Sequence, residues 1–542
     1  MRRQRIPPST GQDVHALCSN ARFREREGLA LSGDLLFPFC FRSKVTETMQ
    51  SFTIRITLLF LSVAPWVWGT GVARAQNTSS PDRSHAESDS ASRPAFRLLR
   101  QEEDWSALAG ETGGSVSLKF LPLPAPQGAV LTIGGEVRSY GRFYRNEQWG
   151  RGPVRDAYLL QRLMVHGSIR SDTAPGSPHL RTFVQLKSGL VANREGPLYP
   201  PDKDLIGINQ AFLEVGGPLG ERGQFTVRGG RQELHYGAGR MVAVREGPNV
   251  RLGYDAVLAR YRVDEWRAEL FVAKPNETPA GVFDNGWMPG RTLWGAYVNR
   301  QTATGPSWSL YYFGTDRTQS PADPALHSTR HTIGGRGYGR AGRFRYDWEG
   351  AVQVGRYRRR ATTSTTQRAA RDAGAIRAWM VAGRLSYRLS TLRGTPTVGV
   401  RGDFSSGDVR RTEVLETFAA PYPSGRSTGA GSRLGPGNLA NVRPVLAVQL
   451  SPTLRMQLSG RLFWRMQSTD GIYAIWGASL RPPTDRGAHF VGGMPEVLVT
   501  WNASRSFRVG LEGSHFFPGT GLSSNLPGRG MTHVGLRARY RF

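Results

Sequence analysis

The stretch THVGLRARYRF, residues 532–542, carries the clearest fold signal in the sequence. Side chains along a β-strand point alternately to its two faces. With that period, this stretch has one apolar face and one cationic face. The apolar face holds Val534, Leu536, Ala538, Tyr540 and Phe542, and the other holds His533, Arg537, Arg539 and Arg541.

The same alternation recurs upstream in the stretches 131–144, 344–354 and 454–464. A soluble sandwich would bury the apolar face and leave the charges in water. A large transmembrane barrel does the reverse, with apolar side chains toward lipid and charged ones toward a water-filled lumen. The aromatic residue Phe542 at the end of the last strand favours the barrel, because outer-membrane proteins commonly end in this way.

From Ala129 onward, about 18 segments of this kind follow one another, separated by Gly, Pro, Asn, Asp and Ser. A tilted spanning strand needs roughly 9–11 residues. We therefore predict an all-β fold for residues 129–542, a transmembrane antiparallel barrel of about 18 strands around a water-filled basic lumen. The longest turn-rich gaps, which are candidate extracellular loops or constriction-forming inserts, lie near 190–206, 275–290, 317–330, 358–375 and 405–440.

An export signal precedes this region, at 49–75. Arg55 supplies its charged head, residues 56–67 its apolar stretch, and Ala73-Arg74-Ala75 a small-x-small cleavage pattern. The run is interrupted by Pro65 and Gly69, which disfavours a spanning helix. These features predict a signal peptide and the outer membrane as the location.

The remaining N-terminal segments are assigned from composition and position. Because signal peptides begin near the start of a chain, we interpret residues 1–48 as an extension upstream of the true start at Met49. Residues 76–128 read as a disordered and periplasmic lead-in, Ser-rich at first and Pro-rich later. Both cysteines, Cys18 and Cys40, lie in the upstream extension, so the exported chain has neither a disulfide framework nor a thiolate metal site.

The charge is strongly basic, with 71 Lys+Arg against 42 Asp+Glu and a formal net charge of +29. Arginine accounts for nearly all of it. Such a surplus implies anionic partners, which the sign alone leaves open as nucleic acid, lipid headgroups or acidic sugars. The export signal disfavours nucleic acid.

Eleven short motifs occur in order along the chain. They are EEDWS (102–106), LKFLPL (118–123), LTIGGEVRSYGRFYRNEQWG (131–150), LLQRLMVHGSIR (159–170), NQAFLEV (209–215), GGRQELHYGAGRMVAVREGPNVR (229–251), SSGD (405–408), TFAAPYPSG (417–425), GNLANVRP (437–444), FWRMQSTDGIY (463–473) and SHFFPG (514–519). In these motifs the sequence resembles the alginate export family of outer-membrane barrels. Two positions depart from that family's pattern, since Ala238 stands where Asp is expected and Met494 where an acidic residue is usual.

The resemblance implies a passive, anion-selective conduit for an acidic polysaccharide (a polyuronate) or its oligomers. Its implied partners are outer-membrane lipid, the anionic polysaccharide or small anions, and periplasmic export components. It points to a monomer. Because the histidines are scattered along the sequence, we expect no metal site, and no cofactor is predicted. Arginine suits such a pore because its planar fork pairs two oxygens of a carboxylate, and several moderate sites in series let a polyanion slide.

Strand parity provides the candidate pore residues. The inward cations are predicted to be Arg138, Arg142, Arg162, Arg181, Lys187, Arg228, Arg260, Arg262, Arg384, Arg401, Arg455, Arg461, Arg465, Arg537 and Arg539. The inward acids are predicted to be Glu136, Glu214, Asp403, Glu496 and Glu512. For any one of them, a structural Arg–carboxylate bridge within the wall is an alternative.

The segment GRQELHYGAGR, residues 230–240, also has two interpretations. Arg231, Arg240 and the nearby Arg245 could lie on a constriction and contact the solute. Alternatively, the glycines mark a bulge or tight turn where a strand bends, and this structural interpretation is the favoured one.

Two other classes of function compete with the polyuronate channel. A general porin for small anionic or neutral nutrients is the first alternative, and a barrel enzyme or adhesion protein is the second. The sequence has neither an HExxH nor a Walker-type motif, and its ten histidines lack ligand spacing, so we predict no enzyme.

Overall fold

The computed structural model describes residues 94–108, 118–125, 128–171, 177–321, 323, 325–359, 373–409, 412–425, 428–429, 431–484, 487–523 and 527–542. The predicted extension 1–48, the predicted signal peptide 49–75 and the first part of the lead-in, 76–93, lie outside these residues.

Eighteen long strands form one antiparallel sheet that closes on itself. They are β2 (Val130–Arg145), β3 (Arg155–Arg170), β4 (His179–Ala192), β5 (Asp204–Pro218), β6 (Gly223–Gln232), β7 (Tyr254–Val263), β8 (Trp266–Pro275), β9 (Arg291–Arg300), β10 (Ser307–Arg317), β11 (Leu326–Ala341), β12 (Phe344–Arg359), β13 (Ala373–Arg388), β14 (Thr397–Ser405), β15 (Ala440–Gln449), β16 (Leu454–Trp464), β19 (Phe490–Asn502), β20 (Phe507–Pro518) and β21 (Met531–Arg541). Each strand pairs with the next, and β21 returns to β2 with Glu136 opposite Arg541. The predicted 18-stranded barrel is confirmed.

The smaller elements lie at the ends of the barrel. A two-residue strand, β1 (Leu121–Pro122), pairs with the start of β2. A hairpin of β17 (Ile472–Tyr473) and β18 (Ser479–Arg481) lies in a loop. Helical segments are single turns, at Arg100–Glu102, Ser106–Leu108, Glu147–Gly150, Pro200–Asp202 and Thr520–Ser523. No helix in the described residues is long and apolar enough to cross a membrane.

The two ends of the barrel differ in the length of their connections. At one end, short turns such as 264–265, 342–343 and 450–453 join the strands, and the barrel's first and last strands also meet there. At the other end lie the long connections, which include 233–253, 406–439 and 465–489. In bacterial outer-membrane barrels the short turns are periplasmic and the long loops extracellular.

The outer face is apolar and the inner face polar, as the alternation predicts. On β12, Trp348 and Val352 are 52% and 56% exposed, whereas Asp347 and Glu349, on either side of Trp348, are 4% and 5% exposed. Aromatic residues collect near both ends of the outer face, which is typical of the two girdles that flank a lipid-facing band. Those exposed near the short turns include Trp266, Phe344, Trp501 and Tyr540, and those near the long loops include Phe143, Trp379, Phe404, Phe490 and Phe517.

The barrel interior is partly filled by its own connections. Leu234, Tyr236, Met241 and Val242 of the connection 233–253 pack against inward side chains of the wall in one buried cluster. A second cluster lies at the long-loop end, where Trp149, Leu434, Ile472 and Leu522 come together. These two clusters determine which part of the lumen stays open.

Candidate functional site

Most of the predicted lumen cations lie on inward-facing strand positions. Buried and exposed residues alternate along each strand, and the buried ones face the lumen. The strand register places these cations on that inner face, beside buried residues of the neighbouring strands. This group comprises Arg138, Arg142, Arg162, Arg181, Lys187, Arg228, Arg260, Arg262, Arg384, Arg401, Arg455, Arg461, Arg537 and Arg539. The five predicted acids, Glu136, Glu214, Asp403, Glu496 and Glu512, lie on the inward face as well.

The connection 233–253, here called the luminal loop, crosses the inside of the barrel. On one side, the fully buried Arg138 donates hydrogen bonds of 2.7 Å to the carbonyl oxygens of Glu246 and Pro248. On the other side, Arg240 donates to Glu349 on β12 at 2.6 Å. The loop therefore spans the lumen between β2 and β12.

Glu246 connects the luminal loop electrostatically to the wall. Its carboxylate lies 2.7 Å from Arg162, 2.5 Å from Arg251 and 3.3 Å from Arg539. Burial alone would raise the pKa of Glu246, but the surrounding guanidinium groups hold it well below its usual range. The carboxylate is therefore ionised, and it stabilises the charged wall around it.

A second insertion, the N-terminal segment 94–108, enters the lumen at the short-turn end. Gln101 is buried and accepts a hydrogen bond from Gln210 at 3.0 Å. Glu102 accepts hydrogen bonds from Arg260 at 2.9 Å and Arg262 at 3.0 Å. Burial would raise the pKa of Glu102, but these arginines, with Arg267 and Arg228, hold it well below its usual range.

The space left beside these insertions is a cavity of about 1780 Å³, lined by inner-face residues of β9–β16, β19–β21 and β2. At the short-turn end it reaches Thr500 and Arg508, which flank the turn 503–506. At the other end it reaches Trp476 in the connection 465–489. The cavity thus follows one side of the barrel over nearly its whole height.

The described lining of this cavity is strongly basic, with seventeen arginines against six acidic residues. Eight of these arginines are among the predicted site residues: Arg142, Arg240, Arg245, Arg384, Arg401, Arg461, Arg537 and Arg539. The predicted acids Glu496 and Glu512 line it too, and Glu496 accepts a hydrogen bond from Arg461 at 2.6 Å.

Three of the lining arginines, Arg245, Arg291 and Arg317, form a cluster beside Tyr422, which we call the arginine tripod. Arg291 and Arg317 are direct cross-strand partners on the inner face of β9 and β10. Arg245 and Arg317 lie 5.8 and 5.3 Å from the centre of the Tyr422 ring, and Arg317 donates to the carbonyl oxygen of Pro421.

The tripod has no carboxylate partner among the described residues within salt-bridge distance. Burial lowers the pKa of Arg245, and Arg317 and Arg291 lower it further. Arg245 also adopts a positive φ of 55°, a backbone conformation that costs free energy and often marks functional sites. Like charges placed directly opposite on neighbouring strands are unfavourable, so an anion between these groups would stabilise all three.

Comparison with known proteins provides the identification. Residues 129–535 match the alginate export family. The chain belongs to this family. No curated protein matches the chain.

Solved structures resemble this alginate export family member in overall fold. A BenF-like porin from Pseudomonas fluorescens Pf-5 is 7% identical with a TM-score of 0.49, covering 76% of this chain and 98% of that one. OccK11 (OpdR) of Pseudomonas aeruginosa is 11% identical with a TM-score of 0.46, covering 76% and 96%. OccK2 (OpdF) of Pseudomonas aeruginosa, in complex with glucuronate, is 10% identical with a TM-score of 0.45, covering 76% and 96%.

The family match and the closed barrel together make the chain an outer-membrane channel protein. Among the described residues of this family member, no group of three or more His, Cys, Asp and Glu is placed to hold a metal ion. Of the two positions that depart from the family pattern, Ala238 lines the cavity and Met494 is 1% exposed. The missing acid at Ala238 leaves the cavity lining more positive.

Two predicted pore residues lie elsewhere. Arg231 is on the outward face of β6, where it donates to Asp255 at 2.8 Å, because it lies three positions, an odd number, after the inward Arg228. Arg465 is 1% exposed and donates to the carbonyl oxygens of Ala488 and Asp470, so its guanidinium group holds a loop in place.

The lead-in also differs from expectation, and the segment 230–240 contains a tight turn. Residues 94–108, expected to be disordered or simply periplasmic, pack inside the barrel. In 230–240, β6 ends at Gln232 and the luminal loop begins. Gly237 and Gly239 adopt positive φ in a tight turn closed by a hydrogen bond of 2.9 Å from the Gly239 amide to the Tyr236 carbonyl, as the favoured interpretation expects, and Arg240 after that turn lines the cavity.

Nine further arginines line the cavity without having been predicted. Seven lie on inward strand positions, which the alternation of side chains would identify if it were applied to every strand. The other two lie in loops, where no alternation exists to indicate their direction. The strand residues are Arg291, Arg317, Arg330, Arg336, Arg359, Arg443 and Arg508, and the loop residues are Arg251 and Arg433.

Proposed function

We propose that this protein is a passive, anion-selective channel that conducts an acidic polysaccharide, a polyuronate or its oligomers, through the arginine-lined cavity. The observation that carries the proposal is the arginine tripod of Arg245, Arg291 and Arg317. These three half-buried cations share a cavity wall and have no carboxylate partner among the residues that the structure describes, so they favour a carboxylate from the solute.

The rest of the lining supports movement of an anion beyond this point. Arg401 is partnered by Asp403 at 2.9 Å, while Arg443 and Arg461 share the single carboxylate of Glu496. Further along the cavity, Arg537 lies 3.6 Å from Glu512. Partial neutralisation weakens each site, and a series of moderate sites allows a polyanion to pass where one tight site would hold it.

The direct test is the conductance of the full chain in planar lipid bilayers. We expect reversal potentials in a KCl gradient to show anion preference, and current to be blocked by polyuronate but not by neutral dextran. Replacing the tripod by Gln (Arg245→Gln, Arg291→Gln, Arg317→Gln) should raise the blocking concentration of polyuronate about tenfold. Arg231→Gln is the matched control, because that arginine faces outward.

Each outcome separates the candidates. If neither polyuronate nor dextran blocks the current while anion preference is retained, the proposed polymer substrate is contradicted and the general porin for small anionic or neutral nutrients is favoured. One observation favours that second candidate, since the luminal loop and the N-terminal segment leave only one side of the lumen open. Absence of anion preference would contradict the polyuronate channel and leave a porin for neutral nutrients.

A further inference from the structure

Five arginines lie on the outward face of the barrel at its long-loop end. Inward and outward positions alternate there, and each of the five occupies an exposed position on the lipid-facing side. They form two patches, the first with Arg145 and Arg155 on β2 and β3, the second with Arg356, Arg358 and Arg377 on β12 and β13.

In the first patch, Arg145 and Arg155 are direct cross-strand partners. Like charges in this position destabilise a sheet. Neither side chain has a hydrogen-bond or salt-bridge partner in the part of the chain that the structure describes. The pair therefore leaves two positive charges side by side at the rim of the barrel.

In the second patch, Arg356 of β12 is opposite Thr329 of β11. On the other side of β12, Arg377 of β13 is opposite Val354, which lies two residues before Arg356, so Arg356 and Arg377 are diagonal neighbours. Diagonal neighbours of this kind are about 7–8 Å apart, within reach of long side chains. Arg358 lies two residues further along the same face and donates to the His327 ring at 3.2 Å.

Among the described residues, an acidic residue beside this patch is already engaged. Asp316 on β10 accepts hydrogen bonds from His327 at 3.0 Å and from the Thr329 hydroxyl at 2.7 Å. Arg356 and Arg377 have no side-chain polar partner among the described residues. The second patch thus retains a net positive charge.

Both patches lie just beyond the apolar band. On β2, Arg145 follows the exposed Phe143, and on β12, Arg356 follows the exposed Val352 and Val354. Charged residues cost little at this depth, roughly 0–1 kcal/mol near the membrane interface. Since long loops are extracellular, the patches lie at the headgroups of the outer leaflet.

We propose that the two patches bind the phosphate groups of the phosphorylated glycolipid of the outer leaflet, lipopolysaccharide, through its lipid A headgroup. The planar guanidinium fork pairs two oxygens of a phosphate. A phosphate between Arg145 and Arg155 removes their mutual repulsion, and another is shared by Arg356 and Arg377. The site is on the outer surface and does not depend on the solute that the lumen conducts.

The test measures binding of fluorescent diphosphoryl lipid A, and of the same lipid without phosphates, to the full chain folded in detergent. Wild type is expected to bind the phosphorylated lipid more tightly. Replacing the five arginines by Gln should weaken that binding at least about tenfold, as expected when charge-assisted hydrogen bonds are lost. The matched control replaces five exposed arginines near the short turns by Gln: Arg222, Arg340, Arg343, Arg388 and Arg393.

Folding is checked by the heat-dependent gel mobility that closed barrels show. If the five-residue variant does not fold, Arg145→Gln with Arg155→Gln tests the first patch alone. Equal affinity of wild type for the two lipids would overturn the proposal. So would unchanged lipid A binding in a folded Gln variant, or the same loss in the control.

Discussion

Glu102 accepts a hydrogen bond of 2.9 Å from Arg260, which joins the N-terminal segment to the wall of the barrel at β7. Arg262 donates to the same carboxylate at 3.0 Å. The pairing fixes residues 94–108 inside the short-turn end of the lumen. Whatever passes through the channel must move beside this segment or displace it.

Replacing Glu102 by Gln should loosen the segment. Removing one partner of a buried ion pair costs about 3–5 kcal/mol, which corresponds to at least about a hundredfold increase in the undocked population. Trypsin cleavage after Arg97 and Arg100, followed by mass spectrometry, measures that population. Asp104→Asn is the control, because Asp104 is exposed and, among the described residues, its carboxylate accepts only the backbone N–H of Ser106. Equal cleavage rates in all three proteins would contradict the role of Glu102.

The same carboxylate sets the pH dependence of docking. Since the docked pKa of Glu102 lies well below its usual value, docking favours the ionised form. The ionised carboxylate contributes its full stabilisation to docking above the ordinary glutamate pKa, near 4.3. Below that pKa, docking loses about 1.4 kcal/mol for each pH unit, until the pH reaches the docked pKa. Single-channel records should show no opening of the segment between pH 7 and 5, and increased opening below about pH 4. A pH response identical in Glu102→Gln would show that another group is responsible.

The wall could be read from the sequence, but the filling of the barrel could not. Alternation is a local property, so it located the strands and the inward face that includes Arg138 and Arg461. The docking of Glu102 depends on arginines more than a hundred residues away, and no local pattern contains that information. A contact of Arg231 with the solute was one of two interpretations of its motif, but the position of Arg231 relative to Arg228 places it on the outer face.

Arg138 should position the tripod without contacting the solute. Its guanidinium group holds the carbonyl oxygens of Glu246 and Pro248, next to Arg245. Arg138→Met leaves both carbonyls buried and unpaired, at about 1–3 kcal/mol each, so we expect faster hydrogen exchange in 233–253 and weaker polyuronate block. Arg231→Met, on the outer face, should change neither. Weaker block without faster exchange would contradict a positioning role.

Glu496 offers a test in which removing a charge strengthens selectivity. Its carboxylate lines the cavity, bonds to Arg461 at 2.6 Å and lies 3.6 Å from Arg443. Glu496→Gln removes a negative charge from a lining that is already basic. A unit charge at about 4 Å is worth about 1 kcal/mol in water, so the anion-to-cation permeability ratio should rise, by up to about fivefold.

The reversal potential in a salt gradient measures this ratio. Glu265→Gln provides the control, because Glu265 pairs with Arg300 in a short turn away from the cavity. An unchanged ratio in Glu496→Gln would mean that ions do not pass Arg443 and Arg461. The conducting route would then have to lie elsewhere in the barrel, and the tripod would lose its place on it.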